Sequence, residues 1–138
     1  MLKGSTATSI SAPVVSGVET FSLRAVATMD TGAKVKADAS LLPGLTAFNS
    51  DRSTAVVEVV NLASGASFGV IGDGTVTNGA SKATYVDKAT AAVVNFSGGT
   101  TGGAVTIVGG GVTSTTINST GASNTRNDET ALAEGGAA

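Results

Sequence analysis

The chain of 138 residues has no cysteine, no histidine and no tryptophan, and its aromatic content is four phenylalanines and one tyrosine. Without cysteine there is no disulfide scaffold and no thiol nucleophile, and without histidine there is no His-based triad. Together the two absences exclude zinc, haem and iron–sulfur sites with their usual ligands. Charge is scarce too. Eight basic and ten acidic residues leave a net charge of −2, so the chain carries no electrostatic footprint for nucleic acid. No apolar run approaches the ~18 residues a membrane helix requires. Met1-Leu2-Lys3-Gly4-Ser5-Thr6 has one basic residue and no apolar stretch behind it, so no secretory signal is read. Lack of cysteine fits synthesis in a reducing cytoplasm and fits a secreted or virion protein equally well.

What is present is mostly small. Glycine, alanine, serine, threonine and valine make up 93 of the 138 residues, and leucine, isoleucine, valine and phenylalanine together only 32. A chain of this length is one domain by default. That apolar content sits just above the border for disorder, so the expected core is thin. A thin core favours support from neighbouring subunits, and an obligate oligomer is expected.

Periodicity divides the chain into an extended N-terminal arm (1–17), a β domain (18–118) and a polar C-terminal tail (119–138). The arm is rich in Ser, Thr and Ala, and stretched out it could reach roughly 55 Å. From Val18 to Met29, Phe21, Leu23, Ala25, Ala27 and Met29 alternate with polar residues, the period of a half-buried strand. Ala33–Ala37 alternates as well, with Lys34 and Lys36 on one face. Thr54–Leu62 is the strongest strand, and its four valines around Glu58 predict burial on both faces, with the glutamate either paired by Arg24 or Arg52 or facing a subunit interface. Further strands are read at Ser67–Ile71, Thr75–Thr77, Ala83–Asp87, Thr90–Phe96, Ala104–Val108 and Val112–Asn118, with a helix over Ser81–Val94 as the alternative. Asn127–Ala133 predicts one short helical turn. Turn signals recur every 8–12 residues or so, which predicts an all-β, single small antiparallel sandwich or barrel. The phenylalanines at 21, 48, 68 and 96 set no fixed period, so a solenoid is not expected.

The sharpest chemical candidate is Asp30-Thr31-Gly32 followed by Ala33, which resembles the Asp-Thr-Gly-Ala signature of retroviral-type aspartic proteases. That resemblance implies a dimer in which two aspartates share a proton, with Val70-Ile71-Gly72 standing for the later apolar element. The helix that should follow it is replaced by Asp73-Gly74-Thr75, and the alternative for Asp30 is a turn after a strand. The glycine runs at 98–103 and 109–111 lack a following helix and a Gly-Lys-Ser/Thr, so they read as hairpin loops and not as phosphate cradles. Asp73-Gly74 is too sparse for a calcium loop. Asn95-Phe96-Ser97 and Asn118-Ser119-Thr120 match the glycosylation sequon. Thr75-Val76-Thr77 and Thr113-Ser114-Thr115 are similar to the threonine rows of ice-binding solenoids, but rows stack only where coils repeat. No catalytic, cofactor-binding or metal-binding residue is assigned.

The Ser/Thr/Ala arm at 1–17 and the β-rich stretch from Phe21 to Ile117 give the whole chain a texture that resembles the capsid decoration (cement) proteins of tailed phages. The resemblance implies a homotrimer made in the host cytoplasm and seated on the capsid surface. It would bind the major capsid protein and have no chemistry, cofactor, nucleic acid or membrane of its own. A tail or fibre subunit, or a surface adhesin module, is the alternative structural role.

Overall fold

Alternation is visible in most strands of the core, where every second residue is buried and its neighbours are half-buried or exposed; Ser67–Ile71 departs from it, with Phe68, Gly69 and Val70 all buried. The computed structural model describes residues 2–4, 8–9, 14–27, 34–100, 102–121 and 132–135. In chain order the strands are β1 (Leu2–Gly4), β2 (Thr8–Ser9), β3 (Thr20–Leu23), β4 (Ala25–Ala27), β5 (Lys34–Asp38), β6 (Ala47–Asp51), β7 (Val56–Leu62) and β8 (Ser67–Ile71). They continue with β9 (Ser81–Tyr85), β10 (Ala91–Ser97), β11 (Val105–Val108), β12 (Ser114–Thr120) and β13 (Leu132–Gly135). A 3-10 turn, Ala39–Leu41, follows β5.

All of these strands pair in parallel. From β5 onward, consecutive strands do not pair with each other but alternate between two sheets. One sheet runs β3-β6-β8-β10-β12, the other β2-β5-β7-β9-β11-β13, and β1 adds to β4 in a short third ribbon. The chain is a β-solenoid, which overturns the expected antiparallel sandwich or barrel. Alternation and turn signals look alike in both folds, because neither records which strand is the neighbour.

The expectation against a solenoid fails for a definable reason. One inward column of the five-stranded sheet is Phe21, Phe48, Phe68, Val94 and Ile117. Successive members are 27, 20, 26 and 23 residues apart, because the corners differ in length while the strands stay in register. Phe96 belongs to the neighbouring inward column, after Leu23, Ser50 and Val70. Counting from Phe68 to Phe96 therefore compares two different columns. Within the first column the rings stack, Phe21 on Phe48 at 5.6 Å and Phe48 on Phe68 at 6.2 Å between centroids, an attraction beyond the area they bury.

The other sheet supplies smaller inward residues, Val35, Val57 and Val105 in one column and Ala37, Val59, Ala83 and Ile107 in the next, all in the same buried cluster. Ser81 stands inward between Val57 and Val105, and its hydroxyl is buried without a partner. Tyr85 crosses the core to a corner, where its hydroxyl donates to the Ala66 carbonyl at 2.7 Å and accepts from the Val93 N–H at 3.1 Å.

The corners explain the glycines. Gly98 sits at φ +72°, and a Cβ there would strike the Gly72 carbonyl; one on Gly103 would strike the Asn78 carbonyl. The runs read as hairpin loops are thus corners stacked backbone on backbone, a closeness only glycine permits. Thr75–Thr77, expected as a strand, lies in the corner between β8 and β9, and Ser81–Val94 forms β9 and β10 with no helix. Val18–Met29 divides at Arg24 into β3 and β4. Ser53 and Thr54 then serve β4 in place of a strand, their hydroxyls accepting the Ala25 and Ala27 N–H groups at 3.0 and 2.9 Å.

Strands also fall within the two ends of the chain. Within 1–17, β1 pairs with β4 and β2 with β5; within 119–138, β13 pairs with β11. Leu132 and Ala133 are therefore in a strand, and the rest of the expected helical turn lies outside the described residues.

Candidate functional site

The parallel register sorts the outward side chains into columns, and the two broad faces differ in kind. On the six-stranded sheet Lys36, Glu58 and Lys82 share a column, with Lys34 beside them. Glu58 is half-exposed on this face, not enclosed, and its partner is Lys34 at 3.7 Å. Arg52, one of the two expected partners, instead binds its neighbour Asp51 at 2.9 Å. The burial expected on both faces of β7 is thus confined to one, where Val57, Val59 and Leu62 point inward.

The outer face of the five-stranded sheet is nearly without charge. Its central column is Ser22, Asn49, Gly69, Asn95 and Asn118. The amides run in one direction: Asn49 Nδ2 donates to Ser22 Oγ at 3.1 Å and Asn118 Nδ2 to Asn95 Oδ1 at 2.9 Å. Gly69 stays open because a Cβ would collide with Asn49 Oδ1. The flanking column is Thr20, Ala47, Ser67, Val93 and Thr116. Asp51, at the margin, is the single ionisable residue among the outward positions of these strands, and Arg52 pairs it. Both sequon asparagines, Asn95 and Asn118, lie on this face. Sequence reasoning missed the column because it exists only once coils of unequal length are set in register.

Two aspartates shape corners. Asp38 Oδ1 accepts from the Ser40 N–H at 2.9 Å, the Ser40 hydroxyl at 2.7 Å and Asn61 Nδ2 at 2.9 Å. These bonds, Asn61 first and Ser40 next, hold its carboxyl below the ordinary range. Asp73 Oδ1 accepts from the Thr75 N–H, the Thr75 hydroxyl and the Val76 N–H at 2.8–2.9 Å, and the backbone bonds lower it likewise. Tyr85 is shifted upward, since burial disfavours its phenolate.

Beside the Asp38 corner an open pocket of about 180 Å³ is lined by Leu42, Pro43, Leu45, Leu62 and Ala63, with Ser40 and Asn61 at its edge; its lining carries no titratable side chain. The protease candidate Asp30-Thr31-Gly32 lies outside the described residues, and its second element, Val70-Ile71-Gly72, is the end of β8 and the start of a corner. The threonines of 75–77 and 113–115 do not form a row: the first group is in a corner, and Thr115 aligns with Ala92. Among the described residues there is no group of three or more acidic, His or Cys side chains that could hold a metal ion, and no helix long and apolar enough to cross a membrane. Compared with known proteins, the chain matches no protein-family model, no curated protein and no solved structure.

Proposed function

We propose that this chain is a non-catalytic structural protein that coats and stabilises an assembled protein shell, in the manner of a tailed-phage capsid decoration protein. The observation that carries this reading is the nearly uncharged outer face of the five-stranded sheet, set against the lysine-bearing face behind it. Protein interfaces are depleted of charge at their centres. A flat array of Ser, Thr, Asn, Ala and Val held on a solenoid offers such a centre with little side-chain entropy to lose. Strand spacing makes the face ~19 Å tall across five strands.

Its area, on the order of 400 Å², is about half of what one partner contributes to an ordinary stable interface. One copy therefore binds weakly, and attachment at many equivalent sites supplies the avidity a shell protein needs.

Particles purified from the source of the sequence provide the test, using an antibody raised against the chain. Labelling of the particle surface in electron micrographs, lost when Asn49→Asp and Asn95→Asp place charge on the face, is the expected result. Recovery of the chain only outside the particles, or decoration unaffected by those charges, would overturn the reading.

A further inference from the structure

The two ends of the five-stranded sheet are built differently. At one end is β3, four residues long, with Glu19 before it and Arg24 after it. Among the described residues the other sheet projects one strand beyond it, because β2 lies outside β5 while β3 has no such neighbour. That end is stepped and flanked by charge. At the opposite end, among the described residues, β12 and β13 are the last strands of the two sheets and lie on the same coil.

β12 is the outermost strand of its sheet, seven residues paired with β10 without a register shift. Its sequence, Ser-Thr-Thr-Ile-Asn-Ser-Thr, contains no lysine, no proline and no charge, and the strand has no bulge. These are the devices by which proteins protect an edge from pairing. Ile117 completes the inward column that begins with the stacked phenylalanines. Val94 beneath it is fully buried, yet Ile117 is 46% exposed.

The strand is also close to a palindrome about Ile117. Thr116 mirrors Asn118, Thr115 mirrors Ser119, and Ser114 mirrors Thr120. Turned end for end and laid antiparallel on itself, it sets Ile117 against Ile117 and polar residues against polar residues. A shift by one residue would oppose inward positions to outward ones. Shifts by two keep the faces but separate the isoleucines.

We propose that two copies of this chain join end to end, β12 pairing antiparallel with β12 of the second copy about a twofold axis through Ile117 and normal to the sheets. The five-stranded sheet then continues across the junction, and the two exposed isoleucines cover one another. The contact is isologous, so it closes at two copies and does not propagate. A twofold normal to the sheets keeps both uncharged faces pointing the same way, giving one face of ten strands. The pairing does not rest on the shell-binding reading, although it would double the area available to it.

The chain has no cysteine, which makes single-cysteine variants clean reporters. Across an antiparallel pair, opposed Cβ atoms approach to about 4.5–5.5 Å, near enough for a disulfide after small adjustment, whereas Ser114 of the two copies would lie about 20 Å apart at the strand rise. The full chain bearing Ile117→Cys or Ser114→Cys is oxidised, and the covalent dimer is compared on a non-reducing gel. In parallel, the unmodified chain is weighed by light scattering over a concentration series.

The expected result is at least ten times more covalent dimer from Ile117→Cys than from Ser114→Cys. The solution mass should rise towards twice the 13.2 kDa of one chain. Ile117→Lys should return that mass to one chain with the circular dichroism unchanged, and mixing it with Ile117→Glu should restore the dimer. Equal cross-linking at both positions, a trimer's mass, or one chain's mass up to about millimolar concentration would each overturn the proposal. The trimer outcome would leave the shell-binding reading standing, and loss of shell binding with the dimer intact would leave this one standing.

Discussion

β10 and β12 lie side by side in one sheet, seven residues each and paired along their whole length, yet one is core and the other is surface. In β10 every second residue is buried and the rest are half-buried; in β12 only Thr115 is even half-buried. They share one hydrogen-bond ladder, and β10 has a second one to β8. What differs is whether an inward side chain meets another layer above it. Backbone pairing can thus extend a solenoid by a coil without extending its core, so stability and contact surface are located in different strands.

The difference is tested most strongly by emptying the middle and one end of the same column. Phe68→Ala, in the middle, should cost about 3–5 kcal/mol of unfolding free energy, read from denaturant titration. Ile117→Ala should cost no more than ~1 kcal/mol, since about half of its side chain is already in water. Equal losses would mean that β12 is part of the core after all.

A corner between middle coils comes next. Gly98→Ala combines a positive φ with a collision against the Gly72 carbonyl, and about 2–3 kcal/mol is expected. Gly65→Ala, also at positive φ but with open space around it, should cost only ~1 kcal/mol. Tyr85→Phe, which strips a buried hydroxyl from the Ala66 carbonyl and the Val93 N–H, should lower stability by about 1–2 kcal/mol.

The smallest effect is that of pH on the corner aspartates. Asp38 and Asp73 are depressed relative to the ordinary 3.8, so the folded chain holds fewer protons than the unfolded one as pH falls. Their contribution is complete above about pH 5 and disappears as the solution is acidified through the folded pKa. Asp73 is exposed and Asp38 only half-buried, so a fall of a few degrees or less in melting temperature between pH 6 and pH 3 is expected. Asp38→Asn should make it smaller.

Much of this was legible in the sequence, element by element. Lys34–Asp38 announces itself by alternation, with Lys34 and Lys36 as an outward pair, and Val56–Leu62, Ser67–Ile71 and Val105–Val108 by their β-branched residues and the turn signals around them. Pairing direction was not legible, because alternation reports the two faces of a strand and says nothing of its neighbours. The coil was hidden by corners of unequal length, with Phe96 drawing the eye into the wrong column. Gly98–Gly103 looked like a flexible loop because its neighbour, the 72–80 corner, is distant in sequence and adjacent in space. The asparagine column depends on the same missing register.

That variable coil length has a further consequence for how the molecule is made. Every strand pair joins residues between 20 and 27 positions apart, and this separation does not grow as coils are added. A nascent chain that has cleared the ribosome by one coil has already released the partner of its latest strand. No early segment must wait for a late one, so the core can close behind the ribosome as synthesis proceeds, each finished coil serving as the template for the next.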